Sequence, residues 1–127
     1  MDGISLLLVE DNVLNQKLIF LTLSKYGFRI DVANNGKEAL DKLENKSYDI
    51  ILMDLMMPVM DGLQATRNIR EREKESGSKN VIVGLTANTY DADRDKCLNE
   101  GMDEYMAKPF DMEVFKDIIS KFGFKIN

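Results

Sequence analysis

Five residues of this 127-residue chain are hard to explain by packing alone. Glu10 and Asp11 follow the apolar run Leu6-Leu7-Leu8-Val9, and Asp54 follows Ile50-Ile51-Leu52-Met53. Thr86 follows Val81-Ile82-Val83-Gly84-Leu85, and Lys108 precedes Pro109. If the fold brings the three carboxylates together, they repel one another, and a cation or protons must offset that. Mg²⁺ suits such a site, because it is a hard ion that takes one or two carboxylates with waters and phosphate oxygens. A backbone carbonyl of the Leu55–Met57 loop could complete its shell. Aspartate is a nucleophile toward phosphorus, a metal can bridge it to the phosphoryl oxygens, and lysine offers a mobile point charge to them. Thr86 adds a hydroxyl donor that could pull its loop inward. The chain has no histidine. Ser-His and Cys-His catalysis, the usual zinc sites and phosphohistidine on this chain are thereby excluded.

Composition narrows the classes further. Lys plus Arg number 17 and Asp plus Glu 22, a net charge of −5 with a pI near 4.8. Such a balance argues against nucleic acid as a partner, which needs clustered cations. No apolar run approaches the ~20 residues of a membrane span, and Met1-Asp2-Gly3 lacks a signal peptide's basic start. The single cysteine, Cys97, cannot form an internal disulfide. It reads as a small core or surface residue in a reducing, cytoplasmic compartment.

Strand and helix patterns alternate along the chain. Strands are expected at Ile4–Val9, Arg29–Ala33, Asp49–Met53, Val81–Leu85 and about Glu104–Met106. The first helix is expected from about Asn12 to Lys25, with Leu14, Leu18 and Leu21 on one face. Asn35 and Glu38 read as a capping box for the second, which turns Ala39, Leu40 and Leu43 inward. Asp61 and Asp111 read as caps of the third and fifth helices, and the fourth spans about Asp91–Glu100. The run Arg70–Glu75 reads as a solvated helix end, and Val114, Phe115, Ile118, Ile119 and Phe122 as a buried stripe. Strands one, three and four are nearly continuous in Ile, Leu and Val, so helices must cover both sheet faces. Right-handed crossovers leave few strand orders, of which the flavodoxin-like 2-1-3-4-5 is common. The expected architecture is therefore an α/β, (βα)5, doubly wound parallel five-stranded sheet, residues 1–127 forming one domain. In that order every residue singled out above falls at one edge of the sheet.

The stretches "LLLVEDNVLNQ", "DIILMDLMMPVMDG", "VGLTANT" and "DEYMAKPF" occur in that order. With them the chain resembles the receiver domains of two-component response regulators over Ser5 to Phe122. The resemblance implies that Asp54 is the phosphoacceptor and that a partner histidine kinase or histidine phosphotransfer protein is the donor. It implies that Asp11, Asp54 and the Met56 backbone carbonyl bind Mg²⁺, with Glu10 acting mainly through water. Thr86 becomes the switch hydroxyl, Tyr105 the aromatic switch and Lys108 the phosphoryl partner, with a cis Lys108-Pro109 peptide. Met56 and Asn88 occupy positions that tune phosphoryl lifetime, and a large apolar Met56 is expected to crowd the attacking water. The wording is closest to receivers attached to hybrid sensor kinases, so the chain is expected to stand alone or to be part of one. Helix one would dock the phosphotransfer partner and the helix four–strand five–helix five face would carry the switched surface. The chemistry is limited to the domain's own phosphorylation and dephosphorylation, without turnover of a small substrate. The alternatives are a degenerate receiver used only for binding, a haloacid-dehalogenase-type phosphatase and a flavodoxin-like cofactor binder. The phosphatase wants a second acid where Met56 stands. The cofactor binder wants a phosphate loop where "EDNVLNQ" is acidic.

Overall fold

The computed structural model describes residues 3–57, 59–77, 79–87 and 91–126. Five strands and five helices alternate: β1 (Ser5–Val9), α1 (Val13–Ser24), β2 (Arg29–Ala33), α2 (Gly36–Asn45), β3 (Ile50–Asp54), α3 (Gly62–Ser76), β4 (Val81–Thr86), α4 (Asp91–Asn99), β5 (Glu104–Ala107) and α5 (Met112–Ser120). The sheet is wholly parallel in the order β2-β1-β3-β4-β5, as the expected flavodoxin-like topology requires. Two strands extend further than the hydrophobic pattern suggests. β3 runs through Asp54 and β4 through Thr86, because ladder pairing continues past the last apolar side chain, with Asp54 opposite Leu85 and Thr86 opposite Ala107.

Alternation along the buried strands divides the core into two layers. Leu6, Leu8, Ile50, Leu52, Val83 and Leu85 meet Ile19 and Leu23 of α1 and Phe115, Ile118 and Ile119 of α5. On the other face Leu7, Val9, Ile51, Met53 and Ile82 meet Ala39, Leu40, Ala65, Ile69 and Cys97. Cys97 is buried there, a core residue and not a surface one. Helix starts are set by side-chain caps. Asn12, Asn35, Asp61 and Asp111 each accept a backbone N–H two or three residues on. The full capping box is at α3, where Gln64 returns a bond to Asp61. At α2 the expected box is half formed, since Glu38 reaches Asn34 and not the Asn35 amide.

Two apolar stripes depart from expectation. Leu14, Leu18 and Leu21 of α1 are exposed, and Ile19 and Leu23 are buried instead. α1 carries apolar residues on two sides, and Gln16 decides between them. Its amide donates to the Glu10 carbonyl and to Asn34 Oδ1, which turns the 16/19/23 stripe toward the sheet. In α5, Val114 and Phe122 are exposed, and the buried stripe is Met112, Phe115, Ile118 and Ile119.

The run Arg70–Glu75 is not uniformly solvated. Arg70 donates from Nε to the Gly101 carbonyl at 2.8 Å, and from Nη1 to Glu73 at 2.7 Å and the Asn80 carbonyl at 2.9 Å. Its Nη2 bonds Asp103 Oδ2 at 2.7 Å, and that oxygen also accepts the Ile82 N–H. Glu73 takes the Asn80 backbone and side-chain N–H groups. Burial works to raise the Glu73 carboxyl, but the Asn80 amides and Arg70 outweigh it and hold the group below its ordinary range. The half-buried guanidinium thus ties the end of α3 to the start of β4 and to the α4–β5 corner.

Replacing Arg70 by methionine keeps the stem but strands Glu73 and Asp103. Urea unfolding of Arg70→Met is expected to show a loss of about 2–3 kcal/mol, while Glu71→Ala at an exposed neighbour shifts stability by under ~0.5 kcal/mol.

Candidate functional site

Parallel pairing puts the carboxyl ends of β1, β3 and β4 side by side. Val9 lies opposite Met53, and Asp54 opposite Leu85. Glu10, just beyond β1, is held by its own N–H on the Ala33 carbonyl at 3.0 Å. Asp54 is the last residue of β3. Carboxylate oxygens of Glu10, Asp11 and Asp54 all lie within 4.8 Å of one another. Glu10 and Asp54 are 1% exposed, whereas Asp11 is open to solvent.

Few groups offset this concentration of charge. Lys108 Nζ lies 2.8 Å from Asp54 Oδ1, and the same oxygen accepts the Met56 N–H at 3.2 Å. The lysine arrives there because its backbone N–H donates to the Thr86 carbonyl at 2.8 Å, just before a cis peptide to Pro109. Glu10 Oε1 accepts the Asn12 N–H at 3.2 Å, while Oε2 is buried without a hydrogen-bond partner. Burial first, and the nearby charge of Asp54 second, push the Glu10 carboxyl up to about 7. The Asn12 amide and Lys108 oppose that shift. The donor set is all oxygen, more than one carboxylate faces a single lysine, and a buried oxygen lacks a partner. These features fit a hard divalent cation such as Mg²⁺.

The loop beneath Asp54 is pinned by backbone bonds, Leu55 N–H to the Leu85 carbonyl and Gly62 N–H to the Leu55 carbonyl, both at 3.1 Å. Gly62 is required by this close approach. A Cβ there would sit 2.3 Å from the Asp54 carbonyl oxygen. A cleft of about 390 Å³ opens beside Glu10 and Lys108, walled by Leu18, Ile19, Leu85 and Phe110.

The description "response regulator receiver domain" belongs to the family whose model matches residues 6–120. The chain belongs to that family. The receiver is 39% identical over 123 residues to hybrid signal transduction histidine kinase K of Dictyostelium discoideum, covering 93% of the chain and 10% of the kinase. It is 44% identical to kinase I of the same organism, covering 90% of the chain and 7% of that protein. It therefore spans a tenth or less of the length of these relatives. Among solved structures it superposes on the receiver domain of Saccharomyces cerevisiae Ssk1, crystallised with the histidine phosphotransfer protein Ypd1. The TM-score is 0.87 at 34% identity, covering 93% of this chain and 88% of that one. It also superposes on the receiver of the Pseudomonas aeruginosa sensor kinase PA1611, which holds a magnesium ion in its active-site cleft. There the TM-score is 0.83 at 41% identity, covering 96% and 99% of the two chains.

In the receiver, the residues expected at the site fall into two groups. Glu10, Asp11, Asp54, Lys108 and the Met56 backbone N–H converge directly. Thr86 and Tyr105 stand on neighbouring strands, Thr86 buried at the end of β4 and Tyr105 half-buried opposite Gly84. Asn88 lies outside the described residues. Met56 is 76% exposed. Gln16, which fixes the β1–α1 turn through Glu10, was not singled out from the sequence. Its one signal is a polar residue on the inward stripe of an otherwise apolar helix.

Because the folded pKa of Glu10 lies above its ordinary 4.5, its proton stabilises the fold. That contribution is complete below pH ~4.5 and is lost as pH rises to about 7. Without divalent cations the melting midpoint is expected to fall by a few degrees between pH 5 and pH 8. Glu10→Gln flattens that slope, and Mg²⁺ raises the midpoint at pH 8 more than at pH 5. Scanning calorimetry checks all three. Gly62→Ala is expected to cost about 2–3 kcal/mol in urea unfolding, as an overpacked backbone contact.

Proposed function

We propose that this chain is a phosphorylation-activated signalling receiver. It takes a phosphoryl group onto Asp54 from a phosphohistidine of a partner histidine kinase or histidine phosphotransfer protein. The observation that carries this reading is the Asp54 carboxylate, 1% exposed at the strand end, paired to Lys108 at 2.8 Å inside a three-carboxylate cluster. Mg²⁺, held by Asp11, Asp54 and the Met56 backbone carbonyl with Glu10 acting through water, would neutralise charge on the transferring phosphoryl oxygens.

The chain's own residues do the rest. β3 and the pinned loop hold Asp54 still, aimed outward from the sheet edge, as the attacking oxygen. Lys108 moves its charge from the carboxylate to a phosphoryl oxygen as the aspartyl phosphate forms. Thr86 donates its hydroxyl to another oxygen, and Tyr105 turns inward. Activation is a shift between two conformers, biased by those new contacts. The α4–β5–α5 face carries the change outward.

The relatives are hybrid kinases and one neighbour was crystallised with a phosphotransfer protein, which supports the same partner class here. α1 and the cleft beside Lys108 are the docking face for it. Residues 1–127 act as one domain, alone or within a larger kinase, and the chemistry is confined to the domain's own phosphorylation and dephosphorylation. No helix among the described residues is long and apolar enough to cross a membrane. With the lone buried cysteine, this supports a cytoplasmic placement.

Intact-mass spectrometry after incubation with acetyl phosphate tests the reading. The chain gains one phosphoryl group, only with Mg²⁺, and Asp54→Asn gains none. Lys108→Ala slows the gain at least tenfold, and Thr86→Ala gains the group while losing the phosphorylation-linked change in the α4–β5–α5 amides by NMR. A chain inert both to acetyl phosphate and to a phosphohistidine donor would be a degenerate binding receiver. A gain that survives Asp54→Asn would overturn the acceptor assignment.

A further inference from the structure

The chain has eight methionines. Met53, Met102, Met106 and Met112 are between 0% and 9% exposed, and Met57 and Met60 pack against the core. Met56 alone among the described methionines is open, at 76%. Its place is not arbitrary, because its backbone N–H is bonded to Asp54 Oδ1 at 3.2 Å. Met56 is therefore an exposed thioether carried on a backbone that touches the acceptor carboxylate, two residues on from it. Oxidation of methionine follows exposure, and it converts a flexible apolar side chain into a polar, chiral one.

We propose that Met56 is an oxidation site through which peroxide sets the lifetime of the phosphoryl group on Asp54. The thioether sulfur attacks one oxygen of hydrogen peroxide. The O–O bond breaks, the sulfur gives up two electrons and gains an S=O bond, and the other oxygen leaves as water. The sulfoxide oxygen is a strong hydrogen-bond acceptor placed where an apolar group had stood. It orders water at the mouth of the site, and the buried aspartyl phosphate is hydrolysed sooner. Methionine sulfoxide reductase reverses the change. Among the described methionines the others are buried or partly buried, so oxidation favours Met56. The lifetime half of this inference rests on the acceptor role proposed for Asp54; the oxidation half does not.

The experiment treats the whole chain with hydrogen peroxide until intact mass shows one added oxygen atom, then maps it by peptide mass spectrometry. The oxygen is expected on Met56. Protein loaded from acetyl phosphate with Mg²⁺ and freed of donor should then lose its phosphoryl group at least twice as fast as untreated protein. Reductase restores the original half-life, and Met56→Leu, which keeps the bulk without the sulfur, shows no response to peroxide. A first oxygen on any other methionine overturns the proposal, as does an unchanged half-life in protein oxidised at Met56 or an equal response in Met56→Leu. If untreated protein accepts no phosphoryl group, it is the Asp54 reading that fails, and the peptide map still decides whether Met56 is the oxidised residue.

Discussion

The convergence of Glu10, Asp11 and Asp54 is the constraint to which the rest of the molecule answers. Two of these carboxylates are almost wholly out of water, where an unpaired charge is strongly disfavoured. The fold offsets that in two ways on its own. It brings Lys108 to 2.8 Å from Asp54, and it pushes the Glu10 carboxyl toward its neutral form. Neither gives the buried Glu10 Oε2 a hydrogen-bond partner. The resting site is thus poised to gain from cationic or phosphoryl chemistry and is not arranged for maximal stability.

Such a site can persist only if its frame does not relax around it. The frame is the sheet, whose central strands β1, β3 and β4 are buried on both faces, and the two apolar layers that clamp it. The opposite end is stiffened by different means. There Arg70 joins α3 to the start of β4 and to the α4–β5 corner through three hydrogen bonds, to the Gly101 and Asn80 carbonyls and to Asp103. The same Asp103 oxygen also accepts the Ile82 N–H.

Several large apolar side chains of α1 and of the loop after β3 are exposed. Val13, Leu14, Leu18 and Leu21 of α1 are all more than half exposed, as are Met56 and Val59 of the loop after β3. Val59 also adopts a left-handed backbone, φ 70°, which a β-branched residue takes only at an energetic cost. The loop carrying Met56 and Val59 is thus shaped for its place beside Asp54 more than for its own ease.

Much of this was legible in the chain alone. Continuous Ile, Leu and Val runs in strands one, three and four require a sheet covered on both faces, and right-handed crossovers then limit the strand order. Placing Glu10, Asp54 and Thr86 at run ends puts them at one edge, whatever the detailed packing. Asn35, Asp61 and Asp111 cap helices through bonds spanning two or three residues, so local sequence suffices to find them. What only the tertiary structure decided involves partners distant in sequence. α1 offered two apolar stripes of similar weight, and the choice went to Ile19 and Leu23 because Gln16 bonds Asn34 across the turn. Arg70 and Glu73 looked like surface charges until Asp103, Gly101 and Asn80 came within bonding distance. Periodicity specifies which residues share a face of an element; which face is turned inward depends on contacts that form only once the elements have packed.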